Sequence, residues 1–365
     1  MLFINNSEVP SLLSMKECID VQEAAFKALE SGASIHRPRI DMYTPSGNPE
    51  GYFRWGTMEG WYDNIFAIRM KSDVITWPKT GSGWTEEKYC VRPGLFCGLV
   101  FLFSSANGEP LAMMNDGVIQ HMRVGGGAGL GVKHLSRAGA ATVGMLGSGG
   151  MARMFLRAFC EVRQIRQCKV YSPTPANRSQ FADEMSQELG IDVIPVSTAR
   201  EAVRGVDILS TATDSMKPTF DAEWLEPGMH VANLGPFEVP PEAAAYFDVK
   251  IRQGIGGLSI PDEPRVKKGV GMSPVAWIAG SEDQRAILPA QAPGGGFITD
   301  YPDFCDLDSG RVEGRSSNEQ ITYYYNIGNQ GLQFAATCGQ AYRNAVKAQI
   351  GREIPTEWFL QDIRD

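Results

Sequence analysis

The segment Thr142-Val143-Gly144-Met145-Leu146-Gly147-Ser148-Gly149-Gly150-Met151-Ala152 constrains this chain more than any other. An apolar run enters it, Gly147, Gly149 and Ala152 fit G-x-G-x-x-G/A, and a helix-like run from Arg153 to Val162 leaves it. The chain holds 40 glycines, so the motif takes its meaning from the strand before it and the helix after it. Gly147 permits a tight turn, and Gly149 lets the backbone approach a pyrophosphate. The small Ala152 lets the helix lie close to the strand. Gly150 and Met151 open a helix whose free N–H groups and partial positive charge face phosphates. A parallel α/β dinucleotide-binding unit is expected.

That unit begins only after 140 residues of other sequence, and 365 residues suffice for two domains with separate cores. Hydrophobic content of 43% and charged content of 21% suit a globular enzyme. A net charge of −8 without Lys/Arg blocks argues against nucleic acid. The start of the chain lacks a basic, apolar leader. The longest apolar run, 95–103, is too short for a membrane span and contains Gly98. The 7 cysteines form no C-x-x-C pair, which reads as reduced thiols in the cytoplasm. The 4 histidines are not spaced as ligands, so no metal is expected.

Residues 11–31 read as a helix capped by Ser14, with Glu17 three residues on. From 36 to 116 the pattern is strand-like, with a turn at Ser105-Ala106-Asn107-Gly108 and an ordered loop expected over 75–94. Residues 124–137 look helical. Strand candidates at 142–146, 169–171, 192–196, 207–211, 230–233 and 248–251 alternate with helix candidates at 150–163, 175–189 and 198–204, the pattern of a doubly wound sheet. Residues 253–300 read as an irregular insertion, and 320–348 as a long helical stretch with a break near Gly328 and Gly331 as an alternative.

Several of these segments together resemble the ornithine cyclodeaminase/mu-crystallin family. His121-Met122-Arg123-Val124-Gly125-Gly126-Gly127-Ala128-Gly129 resembles that family's R-T-G-A helix start, followed by Lys133-His134-Leu135-Ser136-Arg137 and the glycine turn. Val170-Tyr171-Ser172-Pro173, the run Asp207 to Thr213, the run Pro227 to Gly235, and Gly314-Arg315-Ser316-Ser317 continue the match. It covers most of the chain outside 72–92 and 253–300. The resemblance implies an α/β protein with a Rossmann dinucleotide-binding domain, 125–317, inserted in an α+β substrate and dimerisation domain, 1–124 with 318–365. It implies an NAD(P)-dependent homodimer that oxidises or reduces a C–N bond beside a carboxylate, acting on a small imine or amino acid.

The resemblance also implies a basic clamp on the substrate carboxylate, here Arg39, Lys71 and Arg123. Arginine offers a planar two-donor fork and lysine a compact charge, which suits that task. Arg37 rivals Arg39, and Arg69 rivals Lys71, since Arg69 and Lys71 share one strand face. Glu59 is a candidate polar group for the substrate amine, with a solvated turn as the alternative. Cyclodeaminases carry an aspartate in a Gly-x-Asp segment after the fifth strand; Phe237 stands at that place. This shifts the expectation from an ammonia lyase toward an imine reductase or amino-acid dehydrogenase. A binding protein that keeps the nucleotide fold without turnover remains a third reading. Glu238 either replaces the aspartate or is a surface carboxylate. Trp55, Trp77, Trp84 and Phe237 either line a hydrophobic substrate pocket or belong to core packing or a dimer interface.

NAD enzymes place an acid at the second strand's end to hold the ribose 2′-OH. Ser172 occupies that place, with Thr174, Asn177 and Arg178 beyond it. Hydroxyl donors and a cation suit a 2′-phosphate, so NADP(H) is favoured over NAD(H). Thr213, closing the fourth-strand segment, completes the expected cofactor contacts.

Overall fold

The computed structural model describes residues 1–80, 83–256, 265–289 and 300–364. After a single helical turn at Val9–Leu12 comes the first long helix, α1 (Met15–Lys27), and Ser14 caps it as expected. Ser14 Oγ accepts from Glu17 N at 3.2 Å, and Glu17 Oε2 accepts from Ser14 N at 2.9 Å. An antiparallel meander follows: β1 (Ser34–Pro45), β2 (Gly51–Tyr62) and β3 (Ile65–Thr76). β4 (Glu87–Tyr89), taken from the sequence as part of a loop, pairs with β3. β5 (Cys97–Ser104) and β6 (Pro110–Asn115) complete this part of the sheet. Along β3 the buried residues alternate, so Arg69, Lys71, Asp73 and Ile75 share the inner face. Pairing of β1 with β2 shifts between Arg37 and Ile40. This irregularity re-aims the side chains around it, leaving Arg37 opposite Glu59 and bringing Arg39 beside the buried Asp41.

Helix α2 (Gly117–Leu135) is longer than the expected 124–137 and carries a run of glycines. They let it lie against its neighbours without intervening side chains. A Cβ on Gly125 would stand 2.7 Å from the Met154 carbonyl oxygen, and one on Gly131 would stand 2.5 Å from the Tyr324 ring. The nucleotide unit then runs β7 (Thr142–Leu146), α3 (Gly150–Val162), β8 (Gln167–Tyr171), α4 (Pro175–Leu189), β9 (Asp192–Pro195), β10 (Ile208–Thr211), β11 (His230–Asn233) and β12 (Val249–Arg252). Each strand lies within a few residues of its sequence expectation.

The C-terminal third differs from the domain limits read from sequence. β13 (Val266–Val270) and β14 (Ser273–Ile278) lie inside the segment read as an irregular insertion. β14 pairs in parallel with β1, Ala276 opposite Asp41, so this segment extends the substrate sheet, which has 10 strands among the described residues. Conversely β15 (Thr322–Tyr325) joins the nucleotide sheet, while α5 (Gln330–Ala348) and the short strand Arg352–Glu353, which pairs with Leu2–Ile4, return to the first domain. The aromatic run Tyr323 to Tyr325 suits a buried strand, and Gly328 at φ +123° separates it from the helix. The expected boundary at 124/125 falls inside α2. Its Met122 and Leu130 pack in the first core and its Val124 and Ala128 in the second.

The nucleotide sheet is parallel, in the order β9-β8-β7-β10-β11-β15-β12. Its order reverses between β7 and β10, where such sheets open a ligand crevice at their C-terminal ends. α5 packs on the inner face of β2, close enough that a Cβ on Gly60 would stand 2.5 Å from Gly331. The two sheets therefore face a common cleft.

His230, at the start of β11, is fully buried, its Nδ1 within 2.9 Å of Thr322 Oγ1. Burial, then Arg315 and Arg163, lower its pKa from 6.5 to about 3. Between those values the unfolded chain binds a proton that the folded chain refuses. Its contribution to stability is therefore complete above pH 6.5 and is lost as pH falls toward 3. The difference in unfolding free energy between wild type and His230→Asn is expected to shrink by about 2 kcal/mol from pH 7.5 to pH 5. Urea unfolding at the two pH values measures it; a constant difference would contradict the assignment.

Candidate active site

A cavity of about 620 Å³ lies between the inner face of β1–β3, helix α2 and the ends of the nucleotide strands. On the nucleotide side it is lined by Met151 at the start of α3, Thr213 beyond β10 and Gly235 beyond β11. Gly147 has φ +112°, and a Cβ there would stand 2.5 Å from the Ala212 carbonyl oxygen. Gly149 has no atom within 4 Å of where a Cβ would project. No side chain caps α3 at Gly149, so its first N–H groups are free for an anion. A cradle open at Gly149 and backed by those donors fits a dinucleotide pyrophosphate.

At the end of β8, Ser172 is buried and receives the Ser148 hydroxyl at 2.9 Å. Arg178 donates to the Ser172 carbonyl oxygen at 2.8 Å and lies over the Tyr171 ring at 5.6 Å. Thr174 and Asn177 are exposed beside it. This edge thus combines a cation with hydroxyl groups and has no acid at the strand end.

On the substrate side six cations (Arg39, Arg54, Arg69, Lys71, Lys88 and Arg123) line the cleft with Glu86 and Asp116, and Asp41 and Asp73 lie behind them. Among the described residues, six basic side chains against four carboxylates leave a surplus of two basic groups. The pairings decide which cations are free. Arg39 closes its fork on Asp41, Arg54 on Asp73 with Glu86 at 3.2 Å, and Arg69 on Asp116. Arg39 further donates to Met272 O and Ser273 Oγ. It lines the cleft, but its fork is occupied, unlike the open clamp expected from sequence.

Among the described residues Lys71 has only Asp41 as an ion-pair partner, at 3.9 Å. Burial, then Arg39 and Arg54, hold its ammonium well below the ordinary lysine range. Asp41 behind it is ionised, since Arg39, Lys71 and Arg54 outweigh the cost of burial and hold it well below the usual carboxylate range. Arg123 has no carboxylate partner among the described residues. Its Nη1 donates to Gln333 Oε1 at 2.7 Å, its Nη2 to Gln120 Oε1 at 2.9 Å, and its guanidinium stacks over Phe334 at 5.1 Å. Burial and Arg69 lower its pKa to about 9, which leaves it charged at neutral pH. Its Nε is buried without a hydrogen-bond partner, as are Asn326 Oδ1 and Gln330 Oε1, and all three residues line the cleft.

Other expectations fared differently. Glu59 lies outside the cleft lining and is paired with Arg37 at 2.6 Å on the other face of β2. Strand alternation explains this, since Met58 takes the inward position. Glu238 is neither a surface carboxylate nor a cleft group: it is fully buried. It accepts from Thr213 N at 2.5 Å, Thr213 Oγ1 at 2.6 Å, Asn233 Nδ2 at 3.2 Å and the Gly235 N–H, tying together the loops after β10 and β11. Phe237 is half-buried, while Leu234 and Pro236 take the lining positions. Trp77 stacks on Tyr43, and Trp55 faces away from the cleft opposite Met42. The side chain of Trp84 lies outside the described groups. Sequence reasoning missed Asp41, Glu86, Lys88, Asp116, His121, Asn326 and Gln330. Only the alternation Arg39-x-Asp41 and Glu86-x-Lys88 offered a signal for any of them.

The model of the ornithine cyclodeaminase/mu-crystallin family matches residues 1–239. The chain is 26% identical over 357 residues to an alanine dehydrogenase of Archaeoglobus fulgidus, covering 97% of this chain and 98% of that one. It is 26% identical over 360 residues to a Δ1-pyrroline-2-carboxylate reductase of Bacillus cereus, covering 97% and 99%. Among solved structures, the Thermococcus litoralis Δ1-pyrroline-2-carboxylate reductase in complex with NADH and L-proline superposes with a TM-score of 0.72 at 24% identity, covering 97% of this chain and 100% of that one.

Proposed function

Since this chain belongs to the ornithine cyclodeaminase/mu-crystallin family, we propose that it is an NAD(P)-dependent oxidoreductase acting on the C–N bond of an amino acid or its imine. One observation carries the reading. The cleft beside the dinucleotide turn presents an unpartnered cationic donor, Arg123 Nε, and two unpartnered amide oxygens, on Asn326 and Gln330. An amino acid or imino acid offers the complement, a carboxylate and an N–H. Lys71 and Arg123 hold the carboxylate, and Arg39 fixes Asp41, which steadies Lys71. Asn326 and Gln330 face the nitrogen. The nicotinamide, when bound, gives or takes a hydride at C4. The residues act by fixing the carbon to be attacked and by stabilising charge around it.

The absence of an acid after β8, with Arg178 and Ser172 there, supports NADP(H) over NAD(H). A cyclodeaminase is disfavoured, because Phe237 stands at the aspartate's place and Glu238 is held by four donors away from the cleft. The outer face of the substrate sheet supports a homodimer: Ile35, Met42 and Phe66 are exposed there, beside Trp55, Trp61 and Phe103. The 7 free cysteines support a reducing compartment, the cytoplasm. No helix among the described residues is long and apolar enough to cross a membrane.

Loss of absorbance at 340 nm with NADPH and pyruvate plus ammonia or methylamine, or with a cyclic imino acid, tests the reading. No turnover with any of them would contradict it. Wild type is expected to favour NADPH over NADH by about tenfold or more in kcat/KM. Arg178→Leu is expected to remove most of that preference, by losing a charge-assisted contact to the 2′-phosphate. An unchanged ratio would reject the role of Arg178.

A further inference from the structure

The two segments outside the resemblance, 72–92 and 253–300, both contribute to the wall of the cleft. The later one places β14 beside β1, with Met272 and Pro274 in the lining. The earlier one forms β4, which pairs with β3 so that Lys88 lies opposite Ile75. Residues directly opposite in an antiparallel pair project from the same face, so Lys88 points inward with Lys71 and Asp73. A second cavity of about 970 Å³ adjoins there, lined by Trp77, Tyr89 and Ile287, and it shares Lys88 and Gly94 with the first.

Lys88 has no carboxylate within ion-pair distance among the described residues. Glu86, two positions away on the same face, is committed to Arg54, to the Met272 N–H at 2.9 Å and to Trp77. One substrate carboxylate held by Lys71 and Arg123 neutralises one of the two surplus charges, and the other remains. Lys88, which lines both cavities and lacks a carboxylate partner among the described residues, is the cation placed to carry it. Lys71 and Ile75 are four residues apart, so the two lysines are rooted roughly 13 Å apart along β3.

We propose that the substrate carries a second anionic group, several bonds beyond the carboxylate next to its C–N bond, and that Lys88 receives it. The class is a dicarboxylic imino or amino acid of intermediate chain length. This rests on the oxidoreductase reading of the same cleft and specifies what that cleft selects.

With NADPH and ammonia, 2-oxoadipate is compared with 2-oxohexanoate, which has the same carbon count and an uncharged end. The dicarboxylate is expected to exceed the monocarboxylate by about tenfold or more in kcat/KM, the effect of one charge-assisted contact. Lys88→Met is expected to bring the ratio near one, and Lys88→Arg to retain most of it, which separates a charge role from a structural one. A wild-type ratio near one, or a ratio that survives Lys88→Met, overturns the proposal. If neither oxo acid is reduced, the oxidoreductase reading stands or falls on the pyruvate and cyclic imino acid assays, and calorimetric titration of the NADPH-bound protein with adipate and hexanoate decides the present one. Tighter binding of adipate that Lys88→Met abolishes supports it; equal or absent binding of the two overturns it.

Discussion

Arg123→Met is expected to lower kcat/KM for the imine by about a thousandfold, while NADPH affinity changes by no more than about threefold. The size follows from how this cation is held. It is 7% exposed, lacks a carboxylate partner among the described residues, and is oriented by Gln333, Gln120 and the Phe334 ring. Such a guanidinium is aimed in advance at the missing anion, so its removal costs both a charge-assisted pair and the substrate's orientation. Arg123→Lys keeps the charge but loses the fork and the stacking, and an intermediate loss of about 10- to 100-fold is expected. Steady-state kinetics with a fluorescence titration of NADPH checks both halves. A loss of cofactor affinity equal to the loss of kcat/KM would place Arg123 in the cofactor site instead.

The second large effect separates two glycines that look alike in the motif. Gly149→Val is expected to weaken NADPH binding by about a hundredfold or more while shifting the thermal midpoint by no more than about 2 °C. The Cβ position is open within 4 Å, so the fold tolerates the side chain and the incoming pyrophosphate does not. Gly147→Ala is expected to cost roughly 2–4 kcal/mol of stability before any ligand is added. Its backbone has φ +112°, and the new methyl would press on the Ala212 carbonyl oxygen at 2.5 Å. Thermal unfolding and NADPH titration of both variants distinguish them. Equal destabilisation would show that the turn's two glycines share one role.

The nucleotide half was readable almost residue by residue, because its signals are local. The strand ending at Leu146, the Gly147 turn and the helix beginning at Gly150 occupy adjacent positions, and so do the hydroxyls and Arg178 after β8. The substrate half was only partly readable. Arg69 and Lys71 share a face because alternation along one strand needs no partner. Arg39 could not be told from Arg37, because an irregularity in the pairing with β2 decides which of them turns inward. β13 and β14 escaped notice because they are short and pair with each other and with β1, more than 200 residues away. β15 was read as helix because its burial comes from neighbouring strands and not from any period of its own.

What the sequence alone determined, therefore, was the dinucleotide turn, the alternating α/β pattern around it and an inventory of cations suited to a carboxylate. What only the tertiary structure decided was the allocation of charge: Arg39 to Asp41, Arg54 to Asp73, Arg69 to Asp116, with Lys71 at 3.9 Å from the shared Asp41 and with Lys88 and Arg123 lacking a carboxylate partner among the described residues. It likewise placed Glu59 with Arg37 and buried Glu238 beneath Thr213 and Gly235. The physical reason is one of range. Turn geometry and helix dipoles act between neighbours in the chain, whereas a cation's role depends on which carboxylate the fold brings within about 4 Å of it.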